Sequence, residues 1–268
     1  MAKCLIAGLP AAGKSTYIGA LAYLLQSPVD NQILSMDENP NDLSYINKLV
    51  DPWLCLQKIE RTTRGFVNNI DLNLVRKSDG QTFSVSLPDI AGEDYEAIVH
   101  QNAEVIKSWS EAPDSLLFFI NEWQTDLLKE ELGETEPQNR DKVPPMFVLK
   151  DMSAVAQNVL VLKELHNLFS WKKLAIGLSS WDQYQNAYQS PVRMLKERTP
   201  FLYNFIMHYF PEAYIFGVSA QGDEYLDDEE TQNKLLEKTE NGTRAFVVDR
   251  DGVKSYDLTL PINFLISE

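Results

Sequence analysis

A short apolar run, Lys3-Cys4-Leu5-Ile6-Ala7, leads directly into Gly8-Leu9-Pro10-Ala11-Ala12-Gly13-Lys14-Ser15-Thr16. The residues that follow carry Ile18, Leu21, Ala22 and Leu25 at spacings that bury one helical face, and Pro28 stops the pattern. Strand, glycine-rich loop and helix in that order leave little freedom of fold. The pattern GxxxxGK[ST] needs glycines where the backbone must turn and approach phosphate, a lysine to reach the β- and γ-phosphates, and a hydroxyl for Mg²⁺. Gly8, Gly13, Lys14 and Ser15 supply all four, and Ala11, Ala12 and Thr16 complete the loop as candidate nucleotide contacts.

The rest of the chain reads as α/β. Alternation at Val67, Asn69, Asp71, Asn73 and Val75, then Ser78-Asp79-Gly80-Gln81, then Phe83, Val85 and Leu87 predicts an antiparallel hairpin. Leu116–Ile120, Lys173–Leu178 and Ala213–Val218 are apolar runs of the kind that form buried parallel strands. Between Met152 and Phe169, apolar residues recur every three or four positions and predict an amphipathic helix. The expected fold is a P-loop NTPase three-layer sandwich, its mixed sheet carrying one antiparallel edge hairpin.

Two insertions are expected, at about 121–150 and 183–211. The first is polar and proline-interrupted; the second is aromatic-rich, and its stripe Phe201, Phe205, Tyr209 reads as a helix core face. Residues 1–222 would form the P-loop domain. Residues 223–268 would form a C-terminal extension packed on it, with a second hairpin turning at Asp249-Arg250-Asp251-Gly252.

The formal charge of −15 and the pI near 4.6 disfavour a nucleic-acid partner, which needs clustered Lys and Arg. Membrane attachment is disfavoured too, because acidity opposes anionic lipid and no run of about 18 apolar residues occurs. Lys14 sits where the apolar core of a signal peptide tolerates no charge. Cys4 and Cys55 have neither a CxxC nor partner spacing, and a reducing cytoplasm fits them. His100, His166 and His208 lack ligand spacing and read as surface or packing residues.

Phosphate chemistry is narrowed by Leu87-Pro88-Asp89-Ile90-Ala91-Gly92-Glu93, just past the second strand of the hairpin. A carboxylate at a strand end, Asp89, can hold Mg²⁺ directly or through water, while Gly92 lets its N–H reach a γ-phosphate. With "TTRGF" at 62–66, "SSWD" at 179–182 and "VSAQG" at 218–222, the motif series resembles the Ras-like division of the translation-factor-class (TRAFAC) P-loop GTPases. That resemblance implies GTP or GDP with Mg²⁺. It assigns Thr63, with Thr62 as fallback, to close onto metal and γ-phosphate, and it sets Glu93 where Ras-like enzymes keep a water-orienting Gln.

Of the family's Asn-Lys-x-Asp base motif only Asp182 is retained. Its carboxylate can accept from N1–H and the N2 amine of guanine, a donor pair adenine lacks. Trp181 reads as a half-exposed packing residue. Ser219 and Ala220 match the S-A element that supports the base pocket. More narrowly, the long segment before the switch Thr and the "DIAGEDYE" string look like the bacterial double-GTPase families of conflict and defence systems, implying a signalling role with a protein partner. Catalysis would then rest on Lys14, Thr63, Gly92 and Glu93, and metal binding on Ser15, Thr63 and Asp89.

A rival reading is a P-loop kinase using ATP, with Asp37 of "ILSMDE" as base; against it, a kinase lid needs several arginines, and Arg193 and Arg198 are the only candidates in the late insertion. It leaves the later motif series unexplained. A third reading is a nucleotide-binding scaffold without turnover.

Overall fold

The computed structural model describes residues 2–38, 44–60, 62–99, 113–121, 154–225 and 228–267. β1 (Ala2–Gly8) sits inside the sheet, parallel to β4 (Thr82–Ile90) on one side and to β5 (Ser115–Ile120) on the other. From Cys4 to Ala7 it is apolar at every position because both of its faces are covered: Cys4 and Ile6 point to one core, Leu5 and Ala7 to the other.

Beyond β5 the parallel series continues with β6 (Lys173–Leu178) and β7 (Tyr214–Ser219). β8 (Phe246–Val248) and β9 (Lys254–Ser255) then add antiparallel to that edge, with Asp249–Gly252 turning between them. On the other side β3 (Val67–Arg76) forms the expected hairpin with β4. The hairpin is not the edge, however: β2 (Leu34–Glu38) pairs antiparallel outside β3, so among the described residues the sheet has nine strands in the order β2-β3-β4-β1-β5-β6-β7-β8-β9. Asp37 lies exposed on that edge strand.

Helices cover both faces, which makes the three layers. α1 (Lys14–Gln26), α2 (Ser44–Leu54) and α8 (Leu260–Ile266) bury Ile18, Leu21, Leu49, Trp53 and Ile262 with one face of the sheet. On the opposite face lie α3 (Gly92–Val99), α4 (Ala154–Leu168), α5 (Pro191–Arg198) and α6 (Pro200–Tyr209). α7 (Glu229–Glu240) precedes β8, and Asp228 caps it by accepting from the Thr231 N–H at 2.8 Å. Of the predicted insertion at 121–150, only Asn121 lies among the described residues.

The 183–211 segment folds as α5 and α6. Ser190 caps α5 with Pro191 in its first turn. Of the aromatic stripe, only Phe205 packs against the core. Leu202 and Ile206 are fully buried, whereas Phe201 and Tyr209 are 63% and 57% exposed. The i, i+4 spacing is shared by both faces of any helix, and the smaller aliphatic residues fit the narrow gap against α5 and α4. Arg193 pairs with Glu197 on its own helix, and Arg198 lies over the Tyr184 ring.

Candidate functional site

The loop between β1 and α1 is shaped by backbone angles its residues permit. Gly13 has φ 85° and Gly8 φ 153°, and a Cβ on Gly8 would lie 2.6 Å from the Phe119 carbonyl oxygen. Ala11 also adopts a left-handed angle, φ 59°. Gly13 is the N-cap of α1, so the first free N–H groups of that helix face the loop, an arrangement suited to anions.

Lys14 folds back into the loop, donating to the Gly8 carbonyl at 2.8 Å and the Leu9 carbonyl at 3.3 Å, with its ammonium 5.5 Å above the Tyr95 ring. It is buried. Burial lowers its pKa to about 8, and the negative charges of Asp89 and Glu93 oppose that shift.

Asp89, at the end of β4, is 1% exposed and gathers three hydroxyls on one oxygen. Its Oδ2 accepts from Tyr45 at 2.5 Å, Thr62 at 3.0 Å and Ser15 at 3.3 Å, and Ser15 and Thr62 are themselves 3.3 Å apart. Its Oδ1 is buried, without a hydrogen-bond partner among the described residues. Thr63, the residue that the motif resemblance assigns, is exposed one position along, so the contact with Ser15 and Asp89 falls to Thr62.

Gly92 packs directly beneath the loop: a Cβ there would lie 2.3 Å from the Pro10 nitrogen. Glu93 follows at the start of α3, and Asp94 ties the preceding segment down, accepting from the Gly65 N–H at 2.9 Å and facing Arg64 at 3.6 Å. A cavity of about 300 Å³ opens between the loop and these elements, lined by Lys14, Ser15, Lys58, Thr62, Gly92 and Glu93 among others.

A second cavity, of about 270 Å³, adjoins it along Ala11, Gly13, Thr16 and Gln221. Asp182 lines this one, with Asn121, Ser180, Ala220, Asp223 and Glu224. Ser179 Oγ donates to the Ala12 carbonyl at 2.6 Å. Asn121, directly after β5, donates to the Ala11 carbonyl at 2.9 Å and accepts from Ser180 Oγ at 3.0 Å. Ser219 sits behind the wall, buried, its Oγ accepting from the Gly222 N–H at 3.2 Å. Trp181 is fully buried rather than half exposed, and it packs so tightly on β7 that a Cβ on Gly217 would lie 2.4 Å from its ring.

Residues far apart in sequence support the site. The Trp53 indole N–H donates to the Ala220 carbonyl at 2.8 Å, and the buried Arg244 guanidinium donates to the Gln221 carbonyl at 3.0 Å. Asn121 had a legible signal, because it ends an apolar strand, where α/β folds collect ligands. Tyr45, Trp53 and Arg244 had none, since no motif marks them.

One family model, Double-GTPase 1, matches residues 5–265. No curated protein matches the chain. Among solved structures, it is similar to the GDP-bound Roco2 RocCORdC of Methanosarcina barkeri, at 15% identity and TM-score 0.39, over 95% of this chain and 51% of that one. It is also similar to the G domain of the T. maritima FeoB iron transporter, at 13% identity and TM-score 0.36, over 89% of this chain and 99% of that one. The GTP-bound GTPase-like domain of S. cerevisiae Ski7 gives 18% identity and TM-score 0.43, over 90% of this chain and 50% of that one. This chain thus spans about half the length of the Roco2 and Ski7 chains. With the family match running from within β1 to within α8, the chain belongs to the Double-GTPase 1 family.

Proposed function

We propose that the protein is a GTP-binding and GTP-hydrolysing molecular switch whose turnover is slow until a protein partner stimulates it. The observation that carries this reading is the convergence of Ser15 and Thr62 on buried Asp89 at the mouth of the phosphate loop, with Asp182 in the adjoining cavity. Membership of a GTPase family supports it.

The residues present fit Mg²⁺. That ion takes oxygen ligands and keeps several waters, and the Ser15 and Thr62 hydroxyls, which line the cavity beside the Asp89 carboxylate, are such a set. Ser15 and Thr62, with Thr63 beside them, would hold the ion, and Asp89 would orient it. Bound there, Mg²⁺ would neutralise charge on the β- and γ-phosphates. Lys14 would leave the Gly8 and Leu9 carbonyls for phosphate oxygens, and the Gly92 N–H would meet the γ-phosphate. Asp182 would read guanine, with Ser219 and Ala220 shaping the pocket wall.

Glu93 stands where a neutral amide would orient the attacking water. Its carboxylate is repelled by phosphate, so unaided hydrolysis is slow and a partner's cation, such as an arginine, would raise it. Asp37 lines neither cavity, which weighs against the ATP-dependent kinase reading. On the resemblance alone, the proposal extends to bacterial defence signalling in the cytoplasm.

Titration with labelled GTP and ATP in the presence of Mg²⁺ tests the reading. Preference for GTP is expected; a tenfold preference for ATP, about 1.4 kcal/mol, would reverse it. Phosphate release from GTP without an acceptor separates the switch from a scaffold that never turns over.

A further inference from the structure

Asp89 carries more hydroxyl partners than a metal-orienting carboxylate requires, and the additional one comes from α2. Tyr45 is the second residue of that helix, yet its hydroxyl makes the shortest of the three contacts to Asp89 Oδ2, at 2.5 Å against 3.0 Å from Thr62 and 3.3 Å from Ser15. An oxygen with two lone pairs cannot accept three protons well at once. A phenol is more acidic than an aliphatic hydroxyl and is the stronger donor, so it holds Oδ2 while Ser15 and Thr62 keep their oxygens free for other ligands.

The hold is rigid. α2 lies so close on α1 that a Cβ on Gly19 would sit 2.8 Å from the Leu49 carbonyl oxygen. At its other end Trp53 is pinned to the Ala220 carbonyl. With Oδ2 anchored, the carboxylate is held facing the Ser15 and Thr62 hydroxyls.

We propose that Tyr45 is the positioning residue for the metal site: it holds the Asp89 carboxylate against Ser15 and Thr62, the hydroxyls that would hold the ion, and it thereby sets the Mg²⁺ affinity of the nucleotide complex. This rests on the GTP-binding reading above. Removing the hydroxyl leaves the ring packing in place but lets the carboxylate rotate, so Mg²⁺ binding weakens while contacts to the nucleotide itself persist.

The experiment follows release of fluorescently labelled GDP against Mg²⁺ concentration for the wild type, Y45F, D89N and Y45F/D89N, with a melting temperature for each. Y45F is expected to raise the Mg²⁺ half-point at least fivefold and to move GDP affinity in chelator by less than twofold. In the D89N background, adding Y45F is expected to change nothing further, because Tyr45 acts through Asp89. A Y45F half-point within twofold of wild type overturns the inference. So does an equal loss with and without Mg²⁺, or a further loss on top of D89N. Wild-type protein that retains no GDP at saturating Mg²⁺ overturns the GTP-binding reading, and this inference with it.

Discussion

The guanidinium of Arg244 lies 3.8 Å above the ring of Trp53, and both are essentially excluded from solvent. One residue comes from α2, the other from the segment just before β8, and together they brace the β7 loop: Trp53 donates to the Ala220 carbonyl and Arg244 to the Gln221 carbonyl. Arg244 also meets Thr239 at 3.2 Å and Tyr225, so its charge is desolvated but satisfied by oxygens and aromatic faces. Burial pulls its pKa below the usual arginine value.

Arg244→Met should therefore destabilise the fold by about 2 to 4 kcal/mol, because it strands buried acceptors and empties a stacked position. It should also weaken labelled-GDP binding through the unbraced Ala220-Gln221 wall. Arg244→Lys should rescue neither property, since an ammonium cannot stack and fork as a guanidinium does. Urea unfolding and GDP titration check this, and rescue by Lys would refute it.

Gly92 touches the phosphate loop from below. Gly92→Ala would force the loop or α3 to shift, because its Cβ would meet the Pro10 nitrogen at 2.3 Å. The expected cost is about 1 to 3 kcal/mol of stability, with a GTP affinity at least tenfold weaker. Calorimetric titration and thermal unfolding of the same preparation measure both.

The buried amine of Lys14 makes nucleotide binding sensitive to pH. In the free protein its pKa is about 8, lowered chiefly by burial. Phosphate would favour the charged form and raise that value again. Binding above pH 8 must then take up a proton, so affinity should be flat below about pH 7.5 and fall by up to tenfold per pH unit above 8. For the free protein the sign is opposite. The unfolded chain, with the ordinary lysine value of 10.5, binds more protons than the fold between about pH 8 and 10.5, so the Lys14 contribution to stability improves as pH rises through that window. Lys14→Ala should abolish binding altogether. GDP titrations from pH 6.5 to 9.5 test the profile.

Asp182 lines the second cavity, where guanine donors would meet a carboxylate. Asp182→Asn should reduce the preference for GTP over ATP at least tenfold, about 1.4 kcal/mol or more, and leave the fold intact. An unchanged ratio would show that the base is read elsewhere, with Asn121 on the same wall the next residue to substitute.

The phosphate loop, the hairpin and the parallel strands were legible in the sequence because each is a local pattern. Glycines at fixed spacing, a period-two alternation and an apolar run report backbone conformation and burial over a few residues at a time. The loop residues Gly8 to Thr16 and the position of Asp89 at a strand end follow from such patterns, and the structure brings them together as neighbours.

What the tertiary structure decided is which side chains face one another across the sheet order. The choice of Thr62 over Thr63 at Asp89 is a matter of which of two adjacent hydroxyls the loop turns inward, and no local pattern distinguishes them. The outward turn of Phe201 and Tyr209 depends on which face of α6 meets α5. Tyr45, Trp53 and Arg244 belong to the site only because α2 packs on α1 and the C-terminal strands extend the sheet beside β7, contacts such as that of Trp53 with Ala220, 167 residues distant in sequence. Local chemistry is written in residue order, but long-range contact is selected by packing the whole core at once.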